Sequence, residues 1–137
     1  MSKLVCISGC SRGLGKAMAI EFHSRGWNVT GCARSKDSLN ELAKKLDHSS
    51  FFHQVDITNP DQVDDFAQTV KKNVGIPDLL INNAGIINKS ARLTEISPEE
   101  FASVLSVNLG GIHNMIRSFV PIMEEQGHGV IANFSSY

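Results

Sequence analysis

Five short apolar runs are spaced along this chain, and the stretches between them repeat their apolar residues every three to four positions. The runs Leu4-Val5-Cys6-Ile7, 27–33, 51–55, 78–82 and 130–134 have the length and character of strands buried in a sheet. Between them, Leu14, Ala17, Met18 and Phe22 form one helical stripe, Leu39, Leu42, Ala43 and Leu46 a second, and Val63, Phe66, Ala67, Val70 and Val74 a third. The punctuation agrees with this division. Arg25-Gly26 closes the first helix, Ser35 can cap the second, and Asn59-Pro60 starts the third with cap residue and proline in the favoured order. Ser97-Pro98-Glu99-Glu100 reads as a capping box that opens the longest helix, expected over 98–125. Strand–helix alternation of this kind predicts a parallel sheet with right-handed crossovers and helices on both faces, a doubly wound α/β architecture. In such a sheet ligands bind beyond the carboxyl ends of the strands, where the strand order reverses.

The 98–125 helix is apolar over more than one stripe, with Phe101, Val104, Leu105, Leu109, Ile112, Met115, Ile116, Phe119 and Ile122. That width predicts burial on two sides, one against the sheet and one against a further partner. Charge excludes some partners: 13 basic against 14 acidic side chains leave a net −1, so no chain-wide field draws in nucleic acid or anionic lipid. No apolar run approaches the ~18 residues that span a bilayer, and the start MSKLVCISGC is too short in its apolar part for a secretory signal. The three cysteines cannot all pair, which suits a reducing compartment and a cytoplasmic protein. The five histidines show no metal-like clustering, and Cys6 and Cys10 lack the spacing and the second pair of a zinc site. In all, the 137 residues read as one domain.

The segment SGCSRGLG at 8–15 stands where the first strand gives way to the first helix. Gly9 permits a tight turn, Gly13 lets the backbone approach a pyrophosphate, and Gly15 permits close helix–strand packing; the helix N-terminus adds amides and a positive dipole end. A phosphate loop of the Walker type would need glycine in place of Cys10 and serine or threonine in place of Ala17. A G-x-G-x-x-G fingerprint beginning at Gly13 would need glycine in place of Met18. The pattern that remains is G-x-x-x-G-x-G. On its own, glycine punctuation of this kind is also compatible with a plain turn before a helix.

Four more islands decide between those readings, because together they resemble the N-terminal part of the short-chain dehydrogenase/reductase family. Ser8 to Gly15 is similar to the family's glycine segment, with Ser11, Arg12 and Leu14 at its variable positions. Val55-Asp56-Ile57-Thr58 is similar to its adenine-binding aspartate segment, and Asn82-Asn83-Ala84-Gly85 to its N-N-A-G. Asn108 stands where the family has a catalytic asparagine, and IANFSS at 131–136 resembles the segment ending in its catalytic serine, here Ser136 with Ser135 as the neighbouring candidate. The resemblance covers the whole chain. It implies a Rossmann-type three-layer sheet and a dinucleotide held by the 9–15 loop, Asp56, Ile57, Asn83, Ala84 and Gly85.

The residue that reads the cofactor's ribose is expected about 20 positions beyond the glycine loop. Here that place holds Cys32-Ala33-Arg34-Ser35, with no carboxylate. Arg34 can take a 2′-phosphate in bidentate fashion and Arg12 can reach it from the loop, an arrangement that goes with NADP (NADPH) in this family; as bare residues both are also ordinary surface charges. The resemblance further implies hydride transfer to or from a carbonyl or alcohol substrate. Ser136 would hold the reacting oxygen and Asn108 would anchor a water. The family's Tyr-x-x-x-Lys pair is expected about a dozen residues after the serine, and Tyr137, directly after Ser136, cannot supply it. These residues therefore read as a sheet incomplete after its fifth strand. Alone they should be a poor catalyst, since proton delivery typically contributes 10²- to 10⁴-fold in rate. Two functions stay open on this reading: an NADP-dependent oxidoreductase, or an inactive NADP-binding module or dimerisation partner. Under both, the second apolar face of the 98–125 helix suggests a homo-oligomer.

Overall fold

The computed structural model describes residues 2–47 and 50–135. Its strands are β1 (Leu4–Ser8), β2 (Asn28–Ala33), β3 (Phe51–Gln54), β4 (Leu79–Asn82) and β5 (Val130–Asn133). They form one parallel sheet in the order β3-β2-β1-β4-β5. β1 is buried along its whole length, as a central strand covered on both faces must be. Successive side chains on a strand point to opposite faces, and the core divides accordingly. Leu4, Cys6 and Leu80 join the cluster that holds Phe66, Met115 and Phe119, while Val5, Ile7 and Ile81 join the cluster that holds Ala19, Leu39 and Leu42.

Helices α1 (Gly13–Ser24) and α2 (Lys36–Lys45) therefore cover one face of the sheet, and α3 (Pro60–Asn73) and α5 (Ile112–Gln126) the other. The expected caps form. Ser35 Oγ accepts from the Ser38 amide at 3.3 Å, Asn59 Oδ1 accepts from the Asp61 and Gln62 amides, and Ser97 Oγ accepts from the Glu100 amide at 3.1 Å. Only half of the predicted capping box is made, however. The Glu100 carboxylate accepts from the Lys89 amide at 2.7 Å, because the polar loop 88–92 offers an unpaired N–H within reach.

The helix expected over 98–125 spans three segments, α4 (Pro98–Leu105), a π-helical stretch (Ser106–Gly111) and α5. α5 packs on α3 through Phe66 and Phe119, whose rings meet edge to face at 5.5 Å, and through a Ser118 hydroxyl donating to Asp64. The stripe predicted for α1 also shifts. Its buried residues are Gly15 and Ala19, while Leu14 is 59% exposed. Met18 and Phe22 of the predicted stripe pack against the core as expected, while Leu14 and Ala17 turn outward and the closest approach to the sheet is made by the small Gly15 and Ala19. Among the described residues no helix is long and apolar enough to cross a membrane.

Phe66 and Phe119 are both fully buried. Phe66→Ala is expected to cost about 3–5 kcal/mol of stability, read as a lower urea midpoint at unchanged slope.

Candidate functional site

The order β3-β2-β1-β4-β5 reverses direction between β1 and β4, so the sheet parts beyond the carboxyl ends of these two strands. The turn that follows β1 is built for close contact there. Gly9 adopts φ +67°, and a Cβ on it would lie 2.9 Å from the Ala84 Cα. A Cβ on Gly15 would overlap the Gly9 carbonyl. Gly13, at φ +57°, faces open space with nothing within 4 Å, which leaves the backbone accessible. α1 begins without a side-chain cap, so its first-turn amides keep their capacity to bind an anion.

Hydrogen bonds knit this turn to the end of β4. Ser8 Oγ accepts from the Asn83 and Ala84 amides, each at 3.1 Å, and Asn83 Nδ2 donates to the carbonyls of Ser8 and Gly9. On the other side, the Gly9 amide donates to the Cys32 carbonyl at 2.8 Å. Asn83 therefore acts behind the loop as a brace.

A cavity of about 320 Å³ opens in front of it. Gly9, Ser11 and Arg12 form its floor, and Arg34, Ser35 and Ser38 its β2–α2 side. Asp56 and Ile57 contribute from the end of β3, and Ala84, Gly85 and Ile86 from the end of β4. Of the residues expected at the site, Gly9, Ser11, Arg12, Arg34, Asp56, Ile57, Ala84 and Gly85 share this cavity. Gly13, Leu14, Gly15 and Asn83 stand at the helix start or behind the loop. Ser136 lies outside the described residues.

Asn108 sits in the π-helical stretch, and both ends of its amide meet the β4 loop. Its Oδ1 accepts from the Ile86 amide at 2.8 Å, and its Nδ2 donates to the Ile86 carbonyl at 2.7 Å. The wide turn brings this amide alongside Gly85, where a Cβ would stand 3.3 Å from Oδ1. π-Helical insertions recur at functional sites. Residue patterns do not signal this one, because the apolar repeat runs straight through it. Ser38, Ile86 and Val107 line the cavity too and were not expected. Their only sequence signal is adjacency to motif residues.

Asp56 is the one carboxylate among the described residues that line the cavity. The Thr58 hydroxyl and amide both donate to its Oδ1, at 2.7 and 3.0 Å, and hold its carboxyl below the ordinary 3.8, with Arg34 adding attraction. Cys32 lines the cavity and Cys10 packs beneath the turn. Burial pushes both thiols up, Cys10 to about 12, so both are neutral at physiological pH.

A glycine turn opening a helix at the switch point of a doubly wound parallel sheet defines a Rossmann-type α/β protein with its ligand cleft at the strand ends. Residues 3–137 match the family model described as short chain dehydrogenase. The chain belongs to the short chain dehydrogenase family. It is 39% identical over 137 residues to an NADPH-dependent pterin aldehyde reductase of Arabidopsis thaliana, covering 98% of this chain and 57% of that protein. A 3-oxoacyl-(acyl-carrier-protein) reductase of Thermotoga maritima is 34% identical, over 98% of this chain and 55% of its own length. Among solved structures, ElxO with NADP bound superposes with a TM-score of 0.91 at 29% identity, covering 99% of this chain and 56% of that one. The chain thus spans a little over half the length of the curated relatives it matches.

Thr58→Val should move the titration of Asp56 upward toward 3.8, read from its carboxyl carbon shift against pH. Because the native value is the lowered one, the stabilisation is present above the ordinary value and disappears as pH falls through the native value. The variant should lose less stability across that interval.

Proposed function

We propose that this chain carries the nucleotide-binding part of an NADP-dependent oxidoreductase acting on the carbonyl or alcohol group of a small molecule. One observation carries the reading: Arg12, Arg34, Ser35 and Ser38 line the same cavity as Gly9 and Asp56, and β2 ends without a carboxylate. Two guanidinium groups and two hydroxyls suit a phosphate, whereas the paired hydroxyls of an NAD ribose call for an acidic acceptor at that place. The NADPH dependence of the Arabidopsis reductase and the NADP bound to ElxO support the same choice.

The geometry fits a dinucleotide. Gly13 leaves open space where a side chain would obstruct a pyrophosphate, and the uncapped start of α1, from Gly13 through Leu14 to Gly15, offers its amides to the phosphates. Asp56 has Oδ2 available to accept from an adenine amino group while Thr58 holds Oδ1, with the Ile57 backbone beside it. Asn83, Ala84 and Gly85 carry the backbone beneath the ribose.

NADPH, when bound, supplies the hydride. The Ser136 hydroxyl donates to the substrate's carbonyl oxygen as negative charge develops on it. Asn108, with one amide hydrogen and one Oδ1 lone pair already used by Ile86, keeps one of each for a water in the proton path. Proton delivery would fall to the family's Tyr-x-x-x-Lys pair, a place that Tyr137, directly after Ser136, does not take. Phe101, Leu105 and Leu109, four residues apart and 50%, 41% and 64% exposed, form an apolar stripe that supports self-association through this helix. The free cysteines support a cytoplasmic setting.

Arg34→Asp in the full-length protein should weaken NADPH binding about 10- to 100-fold, the loss of a charged hydrogen-bond pair, and spare NADH. Fluorescence titration of both nucleotides checks it; equal losses would remove the 2′-phosphate assignment.

A further inference from the structure

The β2–β3 ladder ends at the pair Ala33 and Gln54, and the Val55 amide still donates to the Ala33 carbonyl at 3.0 Å. Beyond that point the two chains separate, β2 toward Ser35 and α2, β3 toward Asp56 and α3. Arg34 is therefore the first residue past the ladder, and its carbonyl has no strand partner. The Gln54 side chain supplies one, with Nε2 donating to the Arg34 carbonyl at 2.9 Å. Gln62 does the same for the opposite wall, its Oε1 accepting from the Asp56 amide at 2.9 Å. Arg34, Gln54, Val55, Asp56 and Gln62 together line a second hollow that adjoins the main cavity.

Arg34 makes no ion pair among the described residues. Among the described residues no hydrogen bond or ion pair fixes the guanidinium, and the charge of Asp56 attracts it without holding it in one direction. Its direction depends on the backbone from which it springs. We propose that Gln54 is a positioning residue which, by holding the Arg34 carbonyl, aims the guanidinium into the cleft and so contributes to selecting NADP over NAD. The proposal rests on the reading of Arg34 as the 2′-phosphate ligand.

The hydrogen bond is exposed, so water replaces it readily when the partner is lost, and its worth to global stability is small. Its worth to binding is different in kind. A guanidinium released from one direction must be reordered each time a phosphate arrives, and only a ligand that carries the 2′-phosphate meets that cost.

The test is a double-mutant cycle on the full-length protein, with NADPH and NADH titrated by fluorescence and thermal midpoints recorded. Gln54→Met, which keeps the length and removes the donor, should weaken NADPH about five-fold, the value of one ordinary hydrogen bond. NADH affinity and the midpoint should not move. Combined with Arg34→Leu, Gln54→Met should bring no further loss of NADPH affinity. Additive losses, equal losses for the two nucleotides, or an unchanged NADPH affinity would each overturn the positioning role. If Arg34→Leu itself left the NADPH-to-NADH ratio unchanged, the 2′-phosphate assignment would fall, and this inference with it.

Discussion

The arrangement of the cleft depends on the contact between the turn after β1 and the end of β4. Ser8 accepts two backbone amides from Asn83 and Ala84, Asn83 donates back to the carbonyls of Ser8 and Gly9, and Gly9 lies against Ala84 where no side chain fits. These groups are partly buried at the ends of central strands, where an unpaired amide or carbonyl is costly. Their mutual satisfaction fixes the height of the glycine turn relative to both strands. From that height follows the placement of the α1 N-terminus, whose amides no side chain caps. Residues commonly read as ligands divide here into two kinds: those that face the cavity, such as Ser11 and Arg12, and those such as Gly15 and Asn83 that let the loop close.

A second brace runs from the long helix to both walls of the cleft. Asn108 holds the Ile86 backbone by two hydrogen bonds, and six residues on Asn114 donates from a buried site to the Ile57 carbonyl at 2.8 Å. Between them Gly111 packs against the Ile57 side chain, where a Cβ would collide. The π-helical stretch is the adjustment that allows one helix to make both attachments. A regular helix turns 3.6 residues per revolution, and the wider turn resets the phase between Asn108 and the buried face of α5. The loops that carry Asp56 and Gly85 are thus tied to a common support, with little need for contacts to each other.

Electrostatically the cleft is divided. Its floor offers backbone amides, a helix dipole and Arg12, its β2 side offers Arg34, and the one carboxylate among its described lining residues is engaged by Thr58. Cys32 adds no charge, since burial keeps the thiol protonated. The site is thus cationic on the side of Arg12 and Arg34 and anionic at Asp56, within a chain whose net charge is only −1. Steering of an anionic ligand is a local property here.

Much of this was legible in the residues alone, because the signals are local. Five apolar runs, three cap residues and a glycine turn act over a few positions each, and the strands and helix starts appear within a residue or two of where those signals put them. The exposed Leu14 shows where such reading fails. A stripe counted by apolarity placed Met18 and Phe22 correctly against the core but added Leu14 and Ala17 and passed over Gly15 and Ala19, because the nearest contact with the sheet selects for smallness over hydrophobicity. The Glu100 carboxylate found Lys89 instead of its own helix end for a similar reason: the nearer donor belonged to another segment. By itself, then, the sequence determined the elements, their order along the chain, their caps and the glycine turn, all set by interactions within a few residues. Tertiary structure alone decided the strand order, the phase shift at Asn108 and the meeting of Arg34 with Gln54 and Asp56. Those depend on burying two faces of one sheet at once, a condition that no short stretch of chain can satisfy or reveal.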